Sequence, residues 1–430
     1  MTDRGLIPRH SKLNHYPLAW SLVQGRGHIL HHFGRGKAKL AGGVKAGIPV
    51  SLSGQFQAQG RQALAGLHAW AQYANQTGGV WVAGRHARLP VTVVHYDDAS
   101  RASLARGIAE RLVLADRVDL LFGPYSSGLT AAVAPVAEEH GHVLWNQGGA
   151  SQRVYQQGYR WVVGVLTPAN EYLAGLLPLV REAAPQAATL AVVRASSGEF
   201  PRAVSAGVEG QAAALGFNVV LEQEYPPATT DFSSVLDSVA GARPDVLVAV
   251  GRIRHDLALA RQLVSRRLPL MAAAVVAAPI QQFRDALGTD VQGFLGPSQW
   301  EESVNYAMDY GPATQQVLDG LRQAGVPTAD YPAAQAYAAG LVAQRCLEDA
   351  GSLDQGALRA AASDLDMTTF YGRFKIDPET GRQIGRTVAL VQWQRGRKVV
   401  VWPLSQRQGQ LVCPWQGGRN PPNPPFAKGG

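Results

Sequence analysis

Two short segments hold most of the residues in this chain that could do chemistry. Gly123-Pro124-Tyr125-Ser126-Ser127-Gly128 separates an apolar run, Val118 to Phe122, from an alanine-rich helical pattern, and Gln147-Gly148-Gly149-Ala150-Ser151 follows the next apolar run, Val143 to Trp145. The order is strand, loop, helix, strand. Small residues and hydroxyls at the carboxyl end of a strand, just ahead of a helix, sit where the first free N–H groups of that helix attract negative charge. The second loop opens beside the first, so the two are expected to form a crevice for a small anionic group.

Catalytic readings find little support. The GPYSSG turn lacks the G-x-S-x-G spacing of a nucleophile elbow, and the chain shows no P-loop, no GxGxxG after a strand and no paired metal ligands. His28, His31 and His32 cluster without a second ligand group, so no metal is expected there. Arg252, Arg254 and His255 stand at the end of the apolar run Val246 to Val250, where a solvated helix start is the ordinary reading and a second anionic group the functional one. Asp97 and Asp98, just after a strand, are expected to cap the following helix, and Trp145 is expected in the core. Binding needs only donors and shape. No enzyme activity and no cofactor are expected.

These loops need a scaffold, and composition bounds it. With 430 residues, 46% hydrophobic and 17% charged, the chain fits two lobes of ordinary size. The net charge of +8 is unevenly placed: residues 1–45 carry +7 and residues 404–430 three basic residues, which leaves −2 between them. A nucleic-acid partner is therefore not expected. Cys346 and Cys413 lie in a helical pattern and a polar tail, so a disulfide is not expected. Residues 1–43, rich in His, Arg and Gly without period, read as an unstructured leader with no export signal, and the Pro/Gly-rich stretch 404–430 as a disordered tail whose end, NPPNPPFAKGG, cannot bury a core.

From Val44 onward, strand-like runs alternate with amphipathic helical ones: Val44 to Leu52, Gln62 to Asn75, Val91 to Tyr96, Ala102 to Leu114. The rhythm repeats from Leu190 to Arg266, and a helical stretch, Ala333 to Ala350, precedes a β-rich end, Tyr371 to Val401. Such alternation predicts α/β lobes with doubly wound, Rossmann-like parallel sheets.

The chain resembles the type I periplasmic solute-binding proteins, in particular the Leu/Ile/Val (branched-chain amino acid) binding family of ABC transporter receptors. The likeness covers about residues 44 to 403 and rests on VKAGIPVSLSGQFQAQG, VTVVHYDDAS, LLFGPYSSGLTAAVAPVAEEHG, TTDFSSVLDSVAGARPDVLVAV and YGRFKIDPETGR with VALVQWQRGRKVVVWP, in that order. It implies two lobes joined by a three-strand hinge that close on a ligand. Lobe 1 would be 44–167 and 300–385, lobe 2 168–299 and 386–403. By the same resemblance, Ser127 Oγ and the backbone N–H groups of Ser126 to Gly128 bind a ligand carboxylate, helped by the backbone of Gly148, Gly149 and Ala150. Gln59, at the tip of the SGQFQAQG loop, and Phe200, sixteen residues ahead of Gly216, pack on the ligand.

Three departures accompany these matches. Ala150 replaces the family's hydroxyl, the family's lobe 2 acid aligns with the apolar stretch Ala272 to Ala278, and a disulfide of some members is absent in both halves, at Ser100 and Ser126. The missing acid speaks against a branched-chain α-amino acid, because an unpaired buried ammonium is costly. The expectation is a monomeric binding component of an ABC transporter, taking an amino acid, organic acid or amide-like solute and partnering a permease in the periplasm. The alternative is a cytoplasmic ligand sensor of the same fold.

Overall fold

The computed structural model describes residues 42–417. The histidine cluster at 28–32 lies outside them. The first repeat runs β1 (Val44–Val50), α1 (Gln57–Gln76), a hairpin of β2 (Val80–Val82) and β3 (Ala87–Leu89), β4 (Val91–Asp97), α2 (Ala102–Leu114), β5 (Leu120–Phe122), α3 (Ser127–Glu139), β6 (Leu144–Asn146) and β7 (Val162–Gly164). Five of its strands form a parallel sheet in the order β4-β1-β5-β6-β7, the β2–β3 hairpin standing apart. Parallel strands need crossovers, and the amphipathic runs supply them as helices.

The second repeat runs α4 (Leu176–Ala183), β8 (Thr189–Ala195), α5 (Glu199–Leu215), β9 (Asn218–Tyr225), α6 (Ser233–Ala242), β10 (Val246–Val250), α7 (Ile253–Arg266), β11 (Ala272–Val275), α8 (Gln281–Leu287) and β12 (Leu295–Ser298). After it come α9 (Thr314–Gln323), α10 (Tyr331–Ala350), α11 (Gln355–Asp364), a hairpin of β13 (Met367–Thr369) and β14 (Gly372–Phe374), then β15 (Ala389–Gln394) and β16 (Arg397–Trp402). The second sheet has the order β16-β15-β12-β11-β10-β8-β9, antiparallel only where β15 meets β12 and β16. Both faces are covered. Along β10, Val246, Val248 and Val250 pack on one side, with α4 and α5, while Leu247 and Ala249 pack on the other. That is why the strand is an unbroken apolar run.

The chain returns to the first sheet through α10, whose small residues let it lie close on α1. A Cβ at Gly66 would stand 2.2 Å from Ala333 O, and one at Gly340 would stand 2.1 Å from the Trp70 ring. Trp70 Nε1 donates to Gln344 Oε1 at 3.0 Å across this contact. Three connections join the two sheets, and side chains tie them together. The Gln299 amide pairs with both backbone groups of Thr167, at 3.2 Å and 2.9 Å. Arg386 donates to Gln299 O and lies over the Tyr371 ring, 3.9 Å from its centroid.

Two expectations fail in this scaffold. Residues 404–417 are packed rather than disordered: Leu411 and Trp415 are 8% and 6% exposed, and the Trp415 ring centroid lies 5.3 Å from that of Phe294, while 420–430 lie outside the described residues. Gln392 anchors the same segment by bonding both backbone groups of Val412. The apolar residues spaced through that polar stretch find a partner on the second sheet, which composition alone does not reveal. Asp97 and Asp98 do not cap α2. Asp97 Oδ1 accepts the N–H groups of Leu52 and Ala99 at 2.8 Å, and Asp98 Oδ1 accepts Ser51 Oγ at 2.6 Å, so the pair braces the loop after β1 instead. Cys346 and Cys413 are both free. Among the described residues no helix is long and apolar enough to cross a membrane.

Candidate functional site

The carboxyl ends of β5 and β6 carry the two crevice loops, and their hydrogen bonds lock one against the other. Ser126 N donates to Gly148 O at 3.1 Å, and Ser151 N donates to Ser127 Oγ at 3.0 Å. Gly148 is required by this approach, since a Cβ there would lie 2.3 Å from Pro124 O. Ser126 is the N-cap of α3 and holds φ at 103°, a region that L side chains rarely occupy. Its Oγ accepts Leu129 N at 3.3 Å. The N–H groups of Ser127, Gly128 and Ala150 are left without a partner among the described residues. Those of Ser127 and Gly128 are free donors at a helix start, with the Ala150 N–H beside them in the second loop, an arrangement that could take a carboxylate.

These loops open into a cavity of about 600 Å³ between the two sheets. Its lining includes Gln59, Ser126, Ser127, Gly128, Gly148, Ala150, Phe200 and Arg252, so eight of the nine residues singled out from sequence share one cavity. Gly149 does not line it. Its place is structural, because a Cβ there would meet Thr130 Oγ1 at 2.4 Å, and Asn146 holds its backbone through both N–H and C=O. Gln59 reaches the cavity from the first turn of α1 rather than from a loop tip.

Aromatic rings line both walls. Phe56, Tyr125 and Tyr331 stand on the side of the first sheet, with Tyr172 and Phe200 on the side of the second. Phe56 meets Tyr125 edge-on at 5.9 Å, and Tyr172 meets Phe200 edge-on at 5.4 Å. Three contacts bridge the mouth. Arg252 donates to Gln55 Oε1, Arg153 pairs with Glu199 at 3.0 Å, and Gln281 N donates to Asp330 Oδ1 at 3.2 Å. Burial pulls the Arg252 guanidinium below its usual range, and neighbouring Arg254 adds to the effect. Arg254 itself turns to Pro227 O.

A scan with the model of the family described as "Periplasmic binding protein" matches residues 43–398. The chain belongs to that family. Leu/Ile/Val-binding protein homolog 7 of Brucella abortus is 23% identical over 397 residues, which span 88% of this chain and 96% of that relative. Among solved structures, the substrate binding protein LivJ of Streptococcus pneumoniae in complex with isoleucine superposes with a TM-score of 0.69 at 15% identity, covering 86% of this chain and all of that one. A solute binding protein of R. palustris in complex with benzoate superposes with a TM-score of 0.71 at 18% identity, covering 84% and 96%. Both share the type I fold of two α/β lobes with this binding protein.

Sequence reasoning missed one acid of this binding protein. Asp256, in the first turn of α7, lines the cavity at 1% exposure. Its Oδ2 accepts Ala277 N at 3.0 Å, while Oδ1 lies near the backbone N–H of Gly251 without a well-formed hydrogen bond. Burial pushes the carboxyl up to about 8. The family's acid aligns with the apolar stretch Ala272 to Ala278, of which Val276 and Ala277 line the cavity; the acid on this wall comes instead from the neighbouring helix. Only a helix start at Ile253, placing Asp256 on its inner face, would have pointed to it.

Proposed function

We propose that this periplasmic binding protein is the solute-binding component of an ABC transporter, capturing a small carboxylate-bearing solute with an apolar body. The observation that carries this reading is the set of partnerless N–H groups at Ser127, Gly128 and Ala150 facing a cavity enclosed between the two sheets. A carboxylate satisfies such donors, and the aromatic walls remove the remainder of the solute from water. Strand membership supports taking 44–167 with 300–385 as lobe 1 and 168–299 with 386–403 as lobe 2. Hinge bending at the three connections then opens the mouth held by Arg252, Arg153 and Asp330. The closed state is selected because contacts from both lobes exist only there.

The ligands bound in the superposed relatives, isoleucine and benzoate, both carry a carboxylate beside an apolar body. Family membership supports export to the periplasm and delivery to a permease. A thermal-shift screen over amino acids, aliphatic acids, aromatic acids and their amides tests the reading. Acids should raise the melting temperature and their primary amides should not. Equal response to acid and amide would refute the carboxylate site.

A further inference from the structure

A polar patch lies where the cavity meets the hinge, and a carboxylate at α3 leaves it unused. Tyr331 and Gln335, one turn apart on α10, both line the cavity, as i and i+4 residues share a helix face. Gln335 is fully buried, and its Oε1 accepts the Tyr371 hydroxyl at 3.4 Å. That bond leaves Nε2 as the free end of the amide, and it finds no partner. Leaving a buried amide group unpaired costs about 1–3 kcal/mol.

Beside it, the hydroxyls of Tyr125 and Tyr331 lie 2.5 Å apart. The two oxygens carry two protons, and only one of these can sit between them. The other has no acceptor among the described residues. The Tyr172 hydroxyl, next to the Gln299 amide, completes the patch. Its free groups are donors. The charged side chains that line the cavity, Glu199, Arg252, Arg254 and Asp256, all belong to α5 and the α7 start on the opposite wall.

We infer that Gln335 with the Tyr125–Tyr331 pair is a second polar subsite, which takes an uncharged hydroxyl or carbonyl oxygen at the far part of the ligand. A second carboxylate is disfavoured because no cation lines this side of the cavity: Arg386, the nearest, lies outside the lining, engaged with Gln299 O and the Tyr371 ring. The substrate class is then a hydroxy- or oxo-substituted carboxylic acid whose apolar middle lies between the aromatic walls. This rests on the carboxylate reading above.

Matched pairs of acids test it, with full-length protein stripped of co-purified ligand: phenylacetate against 4-hydroxyphenylacetate, and hexanoate against 6-hydroxyhexanoate and 5-oxohexanoate, titrated by calorimetry. In at least one set the oxygenated acid should bind about tenfold more tightly, the worth of one good hydrogen bond. Gln335→Leu, and separately Tyr331→Phe, should bring that ratio close to one. A merely structural role would weaken both members alike and leave the ratio standing, which overturns the subsite, as does equal binding within every set. If no acid of any kind binds, the carboxylate reading falls together with the subsite; if the plain acids bind without preference, only the subsite falls.

Discussion

Ser127 Oγ accepts the backbone N–H of Ser151 at 3.0 Å, so the hydroxyl that opens α3 also fastens the second crevice loop. The resemblance assigns this hydroxyl to the ligand. In the structure it first serves the geometry of the crevice, and both contacts are compatible because a hydroxyl accepts two hydrogen bonds and donates one. Ser127→Ala should therefore lower stability by about 1–3 kcal/mol, the cost of stranding the buried Ser151 N–H, and weaken ligand binding as well. Urea melts and calorimetric titration of the same variant check both. Unchanged affinity in a destabilised variant would leave Ser127 a purely structural role.

Two glycines at the crevice should behave oppositely. A Cβ at Gly148 would lie 2.3 Å from Pro124 O and 2.7 Å from Tyr125 Cα, both backbone atoms that cannot step aside. Gly148→Ala should push the loops apart and destabilise by about 1–3 kcal/mol. Nothing stands within 4 Å of a Cβ at Gly128, inside the first turn of α3. Gly128→Ala should leave the melting temperature the same or slightly higher, by restricting the unfolded chain. Thermal melts of the two variants side by side decide the matter.

Asp256 should leave a mark on the pH dependence. Its carboxyl is raised from 3.8 to about 8 by burial, so between those values the folded state holds a proton that the unfolded chain has lost. Stability then falls as pH rises through this window, with a limiting slope of about 1.4 kcal/mol per pH unit from this group, and levels off above it. Asp256→Asn should flatten that part of the profile, as read from denaturant midpoints at pH 5, 6, 7 and 8. The same proton reports on the ligand. A solute bearing an ammonium beside Asp256 should expel it, making the binding enthalpy differ between phosphate and Tris buffers at pH 7, whereas a plain acid should give the same enthalpy in both.

Trp415 should matter for folding although it lies past the last strand. Its ring packs on Phe294, and its backbone N–H donates to Leu270 O at 2.9 Å. Trp415→Ala should cost about 3–5 kcal/mol by opening a cavity against the second sheet. Far-ultraviolet melts would show it. A loss below about 1 kcal/mol would mean that the segment merely rests on the surface.

The alternation of apolar runs and amphipathic helices was legible residue by residue. Val246 to Val250 and Ala102 to Leu114 match their elements end to end, because a short unbroken apolar run and a period-3.6 pattern each leave a local trace. The crevice loops were legible as breaks between the apolar runs, although glycines and serines there also serve turns and caps, as Gly149 and Ser126 do. Asp256 was not, since its role needs β11 beside β10 to bring Ala277 N to its carboxylate. Gln335 was not either. Nothing in YPAAQAYAAG distinguishes a cavity-facing amide from a core one until Tyr371 and Tyr125 arrive from distant segments.

The amino-acid order by itself determined which stretches become strands and helices, and where the small-residue loops after β5 and β6 fall. These are properties of neighbours along the chain, where side-chain period and backbone freedom act directly. Only the tertiary structure decided which groups meet across the cavity, that burial raises the Asp256 carboxyl, and that Leu411 and Trp415 pack on the second sheet. Those outcomes depend on desolvation and on contacts between residues far apart in sequence, and neither is encoded in any single segment.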